Sequence, residues 1–298
     1  MLDSSTTQEK SRIKRQSEFV VVARRLSQNS SAVIGFVVAV LLVLVAVFAP
    51  LIAPYPSAKQ DLAHTRQAPS AQHIMGTDEL GRDIFSRIVW GSRFSLSIGV
   101  LAVLIGTAVG MLFGAIAGYF GGVVDDIIMR LMDVLRSIPG ILLVITISVV
   151  LGPGVFNTLL ALSVGGIPMS CRLTRAAVLG VRHQEYLEAA TSINASTPRI
   201  ILRHVLPNSF APVLVSSTMS IGNVIMMAAM LSFIGLGVQP GTPSWGAMIS
   251  EVRSRGGFFS NRHILLVPSA ALIVTALSFN FLGDGLRDAL DPRLRGTH

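Results

Sequence analysis

QEYLEAATSINASTPRIILRHVLPN, residues 184–208, is a polar and helix-prone stretch between two long apolar segments. Charged side chains are costly to place in lipid. We therefore expect this stretch, which we call the polar segment, to lie in water beside a membrane. Its position then decides on which side of the membrane the neighbouring apolar segments begin and end.

The composition of the chain is that of an integral membrane protein. Of its 298 residues, 51% are hydrophobic and 13% are charged, and the mean hydropathy is +0.64. Soluble domains carry about 25% charged residues. The net charge of +8 could indicate nucleic-acid binding, but an excess of Arg and Lys in cytoplasmic loops explains it more simply. We expect no nucleic-acid partner.

Six apolar segments approach the roughly 20 residues that a spanning helix needs. They are residues 32–53, 94–118, 127–150, 156–171, 210–236 and 264–283. The first begins too late and is too long to be the apolar part of a cleavable signal peptide. We therefore predict an all-α integral membrane protein with six transmembrane helices.

The distribution of positive charge predicts the orientation. With the N-terminus inside, 16 of the 24 Lys and Arg residues fall in cytoplasmic parts of the chain or, for Arg130 and Arg136, in the cytoplasmic half of the third apolar segment, as the positive-inside rule favours. Both termini and the polar segment are then cytoplasmic, whereas loops 54–93 and 237–263 are extracytoplasmic. We predict a cytoplasmic segment over residues 1–31, a first transmembrane helix over 32–53, and a core of five further helices over 94–298.

Four glycines in the second apolar segment recur every four residues: Gly106, Gly110, Gly114 and Gly118. Residues four apart share one face of a helix, and glycine lets another backbone approach closely. The spacing favours a packing seam against a neighbouring helix or subunit. The alternative is that glycine is simply common in membrane helices. We call these four residues the glycine seam.

The polar segment has the signals of two short helices. Residues 184–193 are mostly good helix formers, and Asn194 suits the left-handed turn after a helix. Thr197 and Pro198 predict an N-cap and a first helical position, and Pro207 predicts the end of the second helix. An apolar face is expected from Ile201, Leu202, Val205 and Leu206, with Arg199 and Arg203 opposite. Such a pair of helices either docks a soluble partner or rests on lipid headgroups.

The sequence has no nucleotide-binding loop. A P-loop needs Gly-Lys-Ser/Thr, and the three lysines, Lys10, Lys14 and Lys59, do not follow a glycine. The acids Asp78 and Glu79 lack EF-hand spacing, and the six histidines form no HxxxH or HxxxxH pair. We therefore expect no catalytic residue, no metal site and no cofactor on this chain.

Polar side chains are scarce at the predicted helix centres. Asn157, Asn223 and Asn280 are the strongest candidates, and their simplest role is hydrogen bonding between helices. Methionines of the fifth segment, Met219, Met226, Met227 and Met230, suit either packing or the wall of an adaptable cavity.

The scarcity of intramembrane carboxylates bears on the energy source. A transporter driven by protons or sodium usually carries them. Their scarcity favours a transport path whose energy is supplied from outside the membrane and not by an ion gradient. The alternative is an ion-gradient transporter or channel, which would take up its solute without ATPase partners. A membrane-bound enzyme is a third alternative, but the sequence lacks a convergent nucleophile, acid pair or metal cluster.

One motif within the polar segment resembles a known family. Glu188-Ala189-Ala190, Asn194 and Leu206-Pro207 resemble the EAA loop of ABC importer permeases, although Asn194 stands where the family usually has glycine. In that family the loop is a coupling helix that docks on the nucleotide-binding subunit. The resemblance implies that the ATPase-coupling residues are Glu185, Glu188, Ala189, Ala190, Asn194, Arg199, Leu206 and Pro207.

Four further motifs extend the resemblance over nearly the whole chain. They are HIMGTDELGRD at 73–83, RLMD at 130–133 with Ile138-Pro139, GLGVQP and PSWG within 235–246, and FNFLGDGLRDALDPR at 279–293. Their order is similar to that of the second permease subunit, the DppC/OppC type, of dipeptide and oligopeptide ABC importers.

This resemblance implies a fold, a location and partners. It implies the MetI-like permease fold with cytoplasmic EAA coupling helices, in a bacterial inner membrane. The expected partners are a homologous permease subunit in a heterodimer, two cytoplasmic ATP-binding subunits that hold ATP and Mg, an extracytoplasmic substrate-binding protein, the peptide and membrane lipid. Nickel or another peptide-like solute is an alternative cargo. The outer loops, at Arg82, Arg87, Arg93 and Trp245, are expected to contact the binding protein.

Overall fold

The computed structural model describes residues 24–182, 184–185, 195–239, 241–254 and 262–290, and these residues are mainly helical. The helices are α1 Ser30–Val47, α2 Ala49–Ile52, α3 Ile84–Phe120, α4 Gly122–Ser137, α5 Gly140–Leu151, α6 Val155–Val181, α7 Thr197–Ile200, α8 Leu206–Phe233, α9 Trp245–Ser254 and α10 Arg262–Leu290. A 3-10 turn spans Leu62–His64, and a π-helical turn spans Ile201–Val205. In the described part of the chain, the β-structure consists of one isolated bridge between Thr77 and Asp83.

The long helix α3 is the axis of the bundle. It packs chiefly along α6 and also contacts α8, α1 and α10. With 37 residues and a rise of 1.5 Å per residue, α3 is about 55 Å long. The hydrocarbon core of a bilayer is only about 30 Å thick. A straight α3 therefore extends beyond the lipid or tilts within it, and its two ends lie at opposite ends of the molecule.

Helix α3 begins within the predicted extracytoplasmic loop 54–93. The side chain of Asp83 caps the helix, since its Oδ2 accepts the Ser86 N–H at 2.7 Å. Residues 84–93 are therefore helical, and their location outside the membrane stays a prediction. The apolar pattern missed this helical start because it reported only the hydrophobic part of the helix.

The predicted count of six spanning helices is not reached in the described ranges. Four helical stretches are long and apolar enough to cross a membrane: Ser30–Val47, Ile84–Phe120, Thr197–Phe233 and Arg262–Leu290. A fifth is obtained when α4 and α5 are taken as one broken span. The predicted fourth span, 156–171, lies in α6, which carries Arg172 and Arg175 and is not among these stretches.

The predicted third span, 127–150, is broken near its middle. Helices α4 and α5 meet at an angle of 86°. The break falls at Ile138, whose backbone is extended with φ −90° and ψ 128°. Pro139 follows it, and a proline disfavours the helical conformation of the residue before it. The Ile-Pro pair thus accounts for the bend.

Candidate functional site

Within the polar segment, residues 184–185 and 195–208 are described, and from Thr197 onward the chain runs as one continuous helix into the membrane span. Glu188, Ala189, Ala190 and Asn194 lie outside the described residues, as does most of the predicted first helix. Ser196, and not Thr197, is the N-cap residue of α7, and no side-chain hydrogen bond closes that cap. The polar segment therefore enters α8 without an intervening loop.

Pro207 does not end this helix, contrary to the sequence-based prediction. The π turn Ile201–Val205 precedes it, and the Leu206 N–H donates to the carbonyl of Ile201. Pro207 then occupies one of the first two positions of α8, where a missing N–H is tolerated. The wider turn lets the helix pass a proline that would clash in a regular helix interior.

One face of this helical stretch is buried against the ends of two other helices. Ile200, Ile201 and Val205 are 1%, 7% and 0% exposed, and they form a cluster with Ala115 of α3 and Val178 of α6. Leu202, predicted for the same face, is instead 63% exposed. We call these five buried residues the linking cluster, because they join the polar segment to α3 and α6.

The remaining described coupling candidates face outward. Glu185, Arg199 and Pro207 are exposed, and Leu206 is partly buried against the linking cluster. These exposed side chains are available to a partner.

The glycine seam packs against α6 within the same chain. A Cβ on Gly106 would lie 2.6 Å from the Ser163 carbonyl oxygen, and one on Gly114 would lie 2.3 Å from that of Cys171. Gly110 and Gly118 are equally close to α6. Any side chain at these positions would force the two helices apart, so α3 and α6 behave as one packed unit.

Two ion pairs join α4 to α6 near the end of α3. Arg175 binds the Asp125 carboxylate through two hydrogen bonds of 2.5 Å each, and Arg172 pairs with Asp133. Asp125 is 8% exposed. Such two-pronged Arg–carboxylate contacts fix orientation as well as position. The bent pair α4–α5 is thereby anchored to the α3–α6 unit.

A buried ion network lies at the opposite end of α3. The Asp78 Oδ2 accepts hydrogen bonds from Arg82 Nε at 2.7 Å and from Arg87 Nη1 at 2.5 Å. Glu251 of α9 accepts from both arginines, at 2.9 Å in the case of Arg87. We call these four residues the ion network. It ties the first predicted outer loop to the second.

Three of the four residues that were expected to contact a binding protein are buried. Arg82, Arg87 and Trp245 are 4%, 1% and 1% exposed, so in this conformation their partners are within the chain. The Trp245 indole donates to the Ile88 carbonyl at 3.0 Å. Arg93 is exposed and lies over the Trp90 ring. Its contact with a binding protein stays a prediction.

The first predicted outer loop is organised by local polar contacts. His73 Nδ1 lies 3.0 Å from Asp83 Oδ1, which orients the helix cap. His64 Nδ1 lies 2.8 Å from Asp61 Oδ2, and this hydrogen bond holds the pKa of the Asp61 carboxyl below its usual value. A left-handed turn at Gly81, with φ 72°, brings its backbone against Asp61. The loop thus has a defined shape.

A cavity of about 170 Å³ is lined by residues of α3, α5, α6 and α8. Asn223 and Met227, noted in the sequence as polar and adaptable residues, line it. Asn157 instead donates to the carbonyls of Leu151 and Gly152 at 2.7 and 3.1 Å, which ties the end of α5 to α6.

Sequence reasoning missed Glu251 and the α4–α6 ion pairs. Glu251 lies 164 and 169 residues from its arginine partners, and a single sequence carries no signal for such a pairing. For the ion pairs the sequence does carry a signal, since Asp125 and Asp133 lie near the predicted cytoplasmic end of the third apolar segment and Arg172 and Arg175 follow the predicted cytoplasmic end of the fourth.

The fold has long apolar helices, a cavity between four of them and a buried link to the polar segment. These are the features of a membrane permease. It belongs to the family of binding-protein-dependent transport system inner membrane components, whose sequence profile matches residues 110–296. A second profile, the N-terminal TM domain of oligopeptide transport permease C, matches residues 17–69. The resemblance proposed from the motifs is confirmed, and the family is a transport component and not a catalytic one.

Relatives of known name support this membership. The chain is 46% identical over 274 residues to the glutathione transport system permease protein GsiD of Escherichia coli O6:K15:H31 (strain 536 / UPEC), covering 92% of this chain and 90% of that protein. The same values hold for GsiD of Shigella boydii serotype 4 (strain Sb227).

Solved structures support the fold. A chain of the MetNI methionine ABC transporter in an inward-facing conformation matches with a TM-score of 0.54 at 18% identity, covering 70% of this chain and 98% of that one. A chain of an amino acid ABC transporter matches with a TM-score of 0.52 at 17% identity, covering 67% and 92%. The MetI-like fold of ABC permeases is confirmed, apart from the number of spans and the coupling helices.

Proposed function

We propose that this chain is one permease subunit of an ATP-driven importer for dipeptides, oligopeptides or related peptide-like solutes. It pairs with a homologous permease subunit around a central path. Two cytoplasmic subunits bind ATP and Mg and dock on the polar segment. An extracytoplasmic binding protein delivers the solute to the outer loops.

The linking cluster carries the mechanical part of this proposal. The polar segment is continuous with α8, and its buried face contacts α3 and α6. When the ATPase subunits close, they displace the polar segment, and the close-packed cores of α3 and α6 respond as rigid bodies. The path then switches between inward-facing and outward-facing states, biased by the differential binding of the partners to these states.

A peptide-like cargo is supported by the relatives and by the motifs. The name of GsiD refers to glutathione, which is itself a tripeptide, and a profile of oligopeptide permeases matches residues 17–69. We accordingly assign the chain to the bacterial inner membrane with both termini in the cytoplasm. The excess of Lys and Arg in the parts assigned to the cytoplasm supports this orientation. The polar segment then faces the ATPases.

Reconstitution of the complex tests the proposal. The chain is expressed with its candidate permease, ATPase and binding-protein partners, purified in mild detergent and placed in liposomes. We expect the ATPase subunits to co-purify, and ATP hydrolysis to rise when the binding protein and a peptide are added. ATP-independent uptake that follows an ion gradient would contradict the proposal and favour a secondary transporter.

A further inference from the structure

The cavity between α3, α5, α6 and α8 is larger than an ordinary packing void and smaller than a complete substrate site. Its volume of about 170 Å³ is many times the roughly 10–15 Å³ that one water needs, measured with a water-sized probe. Complete small-molecule sites span about 300–1,000 Å³. The cavity therefore has the size of one part of such a site.

The backbone keeps this space open. Gly140 at the start of α5 and Gly166 in α6 border the cavity, and a Cβ on either residue would meet nothing within 4 Å. The glycine seam, in contrast, is in tight contact throughout. Glycine at these two positions thus preserves volume where the seam glycines permit close packing.

The wall of the cavity is mainly apolar, and its polar side chains are uncharged. The lining side chains that the structure describes carry no formal charge. Three polar side chains, Ser216, Ser220 and Asn223, follow α8 at spacings of four and three residues and so share one helix face. Thr107 of α3 and Ser170 of α6 complete the polar lining. A row of uncharged hydrogen-bonding groups therefore runs along one face of α8.

Asn223 is the most exposed of these groups. Ser220 already donates to the Ser216 carbonyl at 2.8 Å. The Asn223 side chain is exposed, and within the described ranges it has no hydrogen bond. Its amide offers two donors and one acceptor oxygen. These groups match the C=O and N–H of a peptide bond, which a hydroxyl alone matches less completely.

We propose that the α8 face Ser216, Ser220 and Asn223 forms a transit site for the main-chain amide groups of a peptide. This inference rests on the proposed function and adds the substrate-facing residues. Neutral groups bind a peptide bond irrespective of the side chains beside it. They also bind it weakly enough for release, as conduction through a path requires.

Filling the cavity tests the site. Gly166→Leu places a side chain into open space, and the matched control Gly180→Leu adds the same side chain to the same helix, where a Cβ also meets nothing within 4 Å. In reconstituted complexes we expect Gly166→Leu to lose uptake of trialanine and glutathione at least tenfold, and Gly180→Leu to retain it. Equal uptake by both variants would overturn the proposal.

Thiol labelling tests the transit site independently if the Gly166→Leu complex fails to assemble. In a Cys171→Ala background, Asn223→Cys is expected to react with a hydrophilic methanethiosulfonate reagent, and a transported peptide is expected to slow that reaction during ATP turnover. Absence of labelling, or labelling that peptide does not slow, would overturn the transit site. If the wild-type complex takes up neither peptide, the proposed peptide function fails, and the reagent still reports whether position 223 faces an aqueous path.

Discussion

The Asp78 side chain accepts four hydrogen bonds, two from side chains of the ion network and two from the backbone. It accepts from the backbone N–H groups of Leu80 and Arg82 at 2.8 and 3.0 Å, besides the side chains of Arg82 and Arg87. The residue is 3% exposed. The motif around Asp78 was predicted to lie in an outer loop. The pairing of Arg82 and Arg87 with Glu251 of α9 was not predictable, because the partners lie 169 and 164 residues apart.

Asp78→Asn is expected to destabilise the membrane part. The amide keeps the shape of the side chain but removes the charge that two buried arginines share. Breaking a buried ion pair costs about 3–5 kcal/mol, and the remaining Glu251 places the loss toward the lower end of this range. Thermal unfolding in detergent measures it. Asp126→Asn, at an exposed aspartate, is the control, and equal melting temperatures for the two variants would contradict the role of the ion network.

Glu188→Lys is expected to uncouple ATP hydrolysis from import. The residue belongs to the motif that resembles a coupling helix, and a reversed charge there opposes docking on the ATPase. We expect uptake to fall at least tenfold while the permease still folds. Gln184→Lys adds the same positive charge at an exposed neighbouring position. Uptake that is equal in Glu188→Lys and the wild type would remove the coupling role.

For the individual helices, contacts were easier to predict from the sequence than bends and ends. The four-residue glycine spacing predicted a close contact, and the structure identifies α6 as the helix that fills it. The bend at Ile138 follows from local chemistry that the hydropathy pattern ignores. The passage through Pro207 was not predictable, because it depends on a π turn that no sequence signal announced.

Gly114→Leu should separate α3 from α6. The new Cβ alone would lie 2.3 Å from the Cys171 carbonyl oxygen, and a backbone atom has little room to yield. Overpacking of a core costs typically 1–3 kcal/mol and occasionally more. We expect a lower melting temperature and less assembled complex. Gly180→Leu again serves as the control, and a Gly114→Leu protein as stable as this control would contradict the tight seam.

For the whole molecule, the composition was enough to predict an integral membrane protein, and the motifs were enough to predict the permease family. The number of spans was harder, because α6 is interrupted by polar residues and α4–α5 is bent. The hydrophobic criterion for a span assumes lipid on all sides. A helix packed along the centre of a bundle, as α6 is along α3, meets less lipid and can carry charges near its end.

The proposed orientation predicts which residues are reached from outside the cell. In a Cys171→Ala background, Lys59→Cys is expected to react with a membrane-impermeant thiol reagent in intact cells, and Gln184→Cys only in inside-out vesicles. Both native residues are exposed, so burial does not bias the comparison. Labelling of Gln184→Cys in intact cells would reverse the topology and remove the docking place for cytoplasmic ATPases.

The contact between α1 and α10 has a consequence for biosynthesis. Asn29 donates to the Asp288 carboxylate at 3.0 Å, and a Cβ on Gly35 would lie 2.7 Å from the Ser278 carbonyl oxygen. Among the described helices α1 is translated first and α10 last. The earliest helix to enter the membrane therefore lacks this neighbour until synthesis is nearly complete. A ribosome that stalls before α10 leaves α1 without its partner, a state that quality-control proteases can recognise.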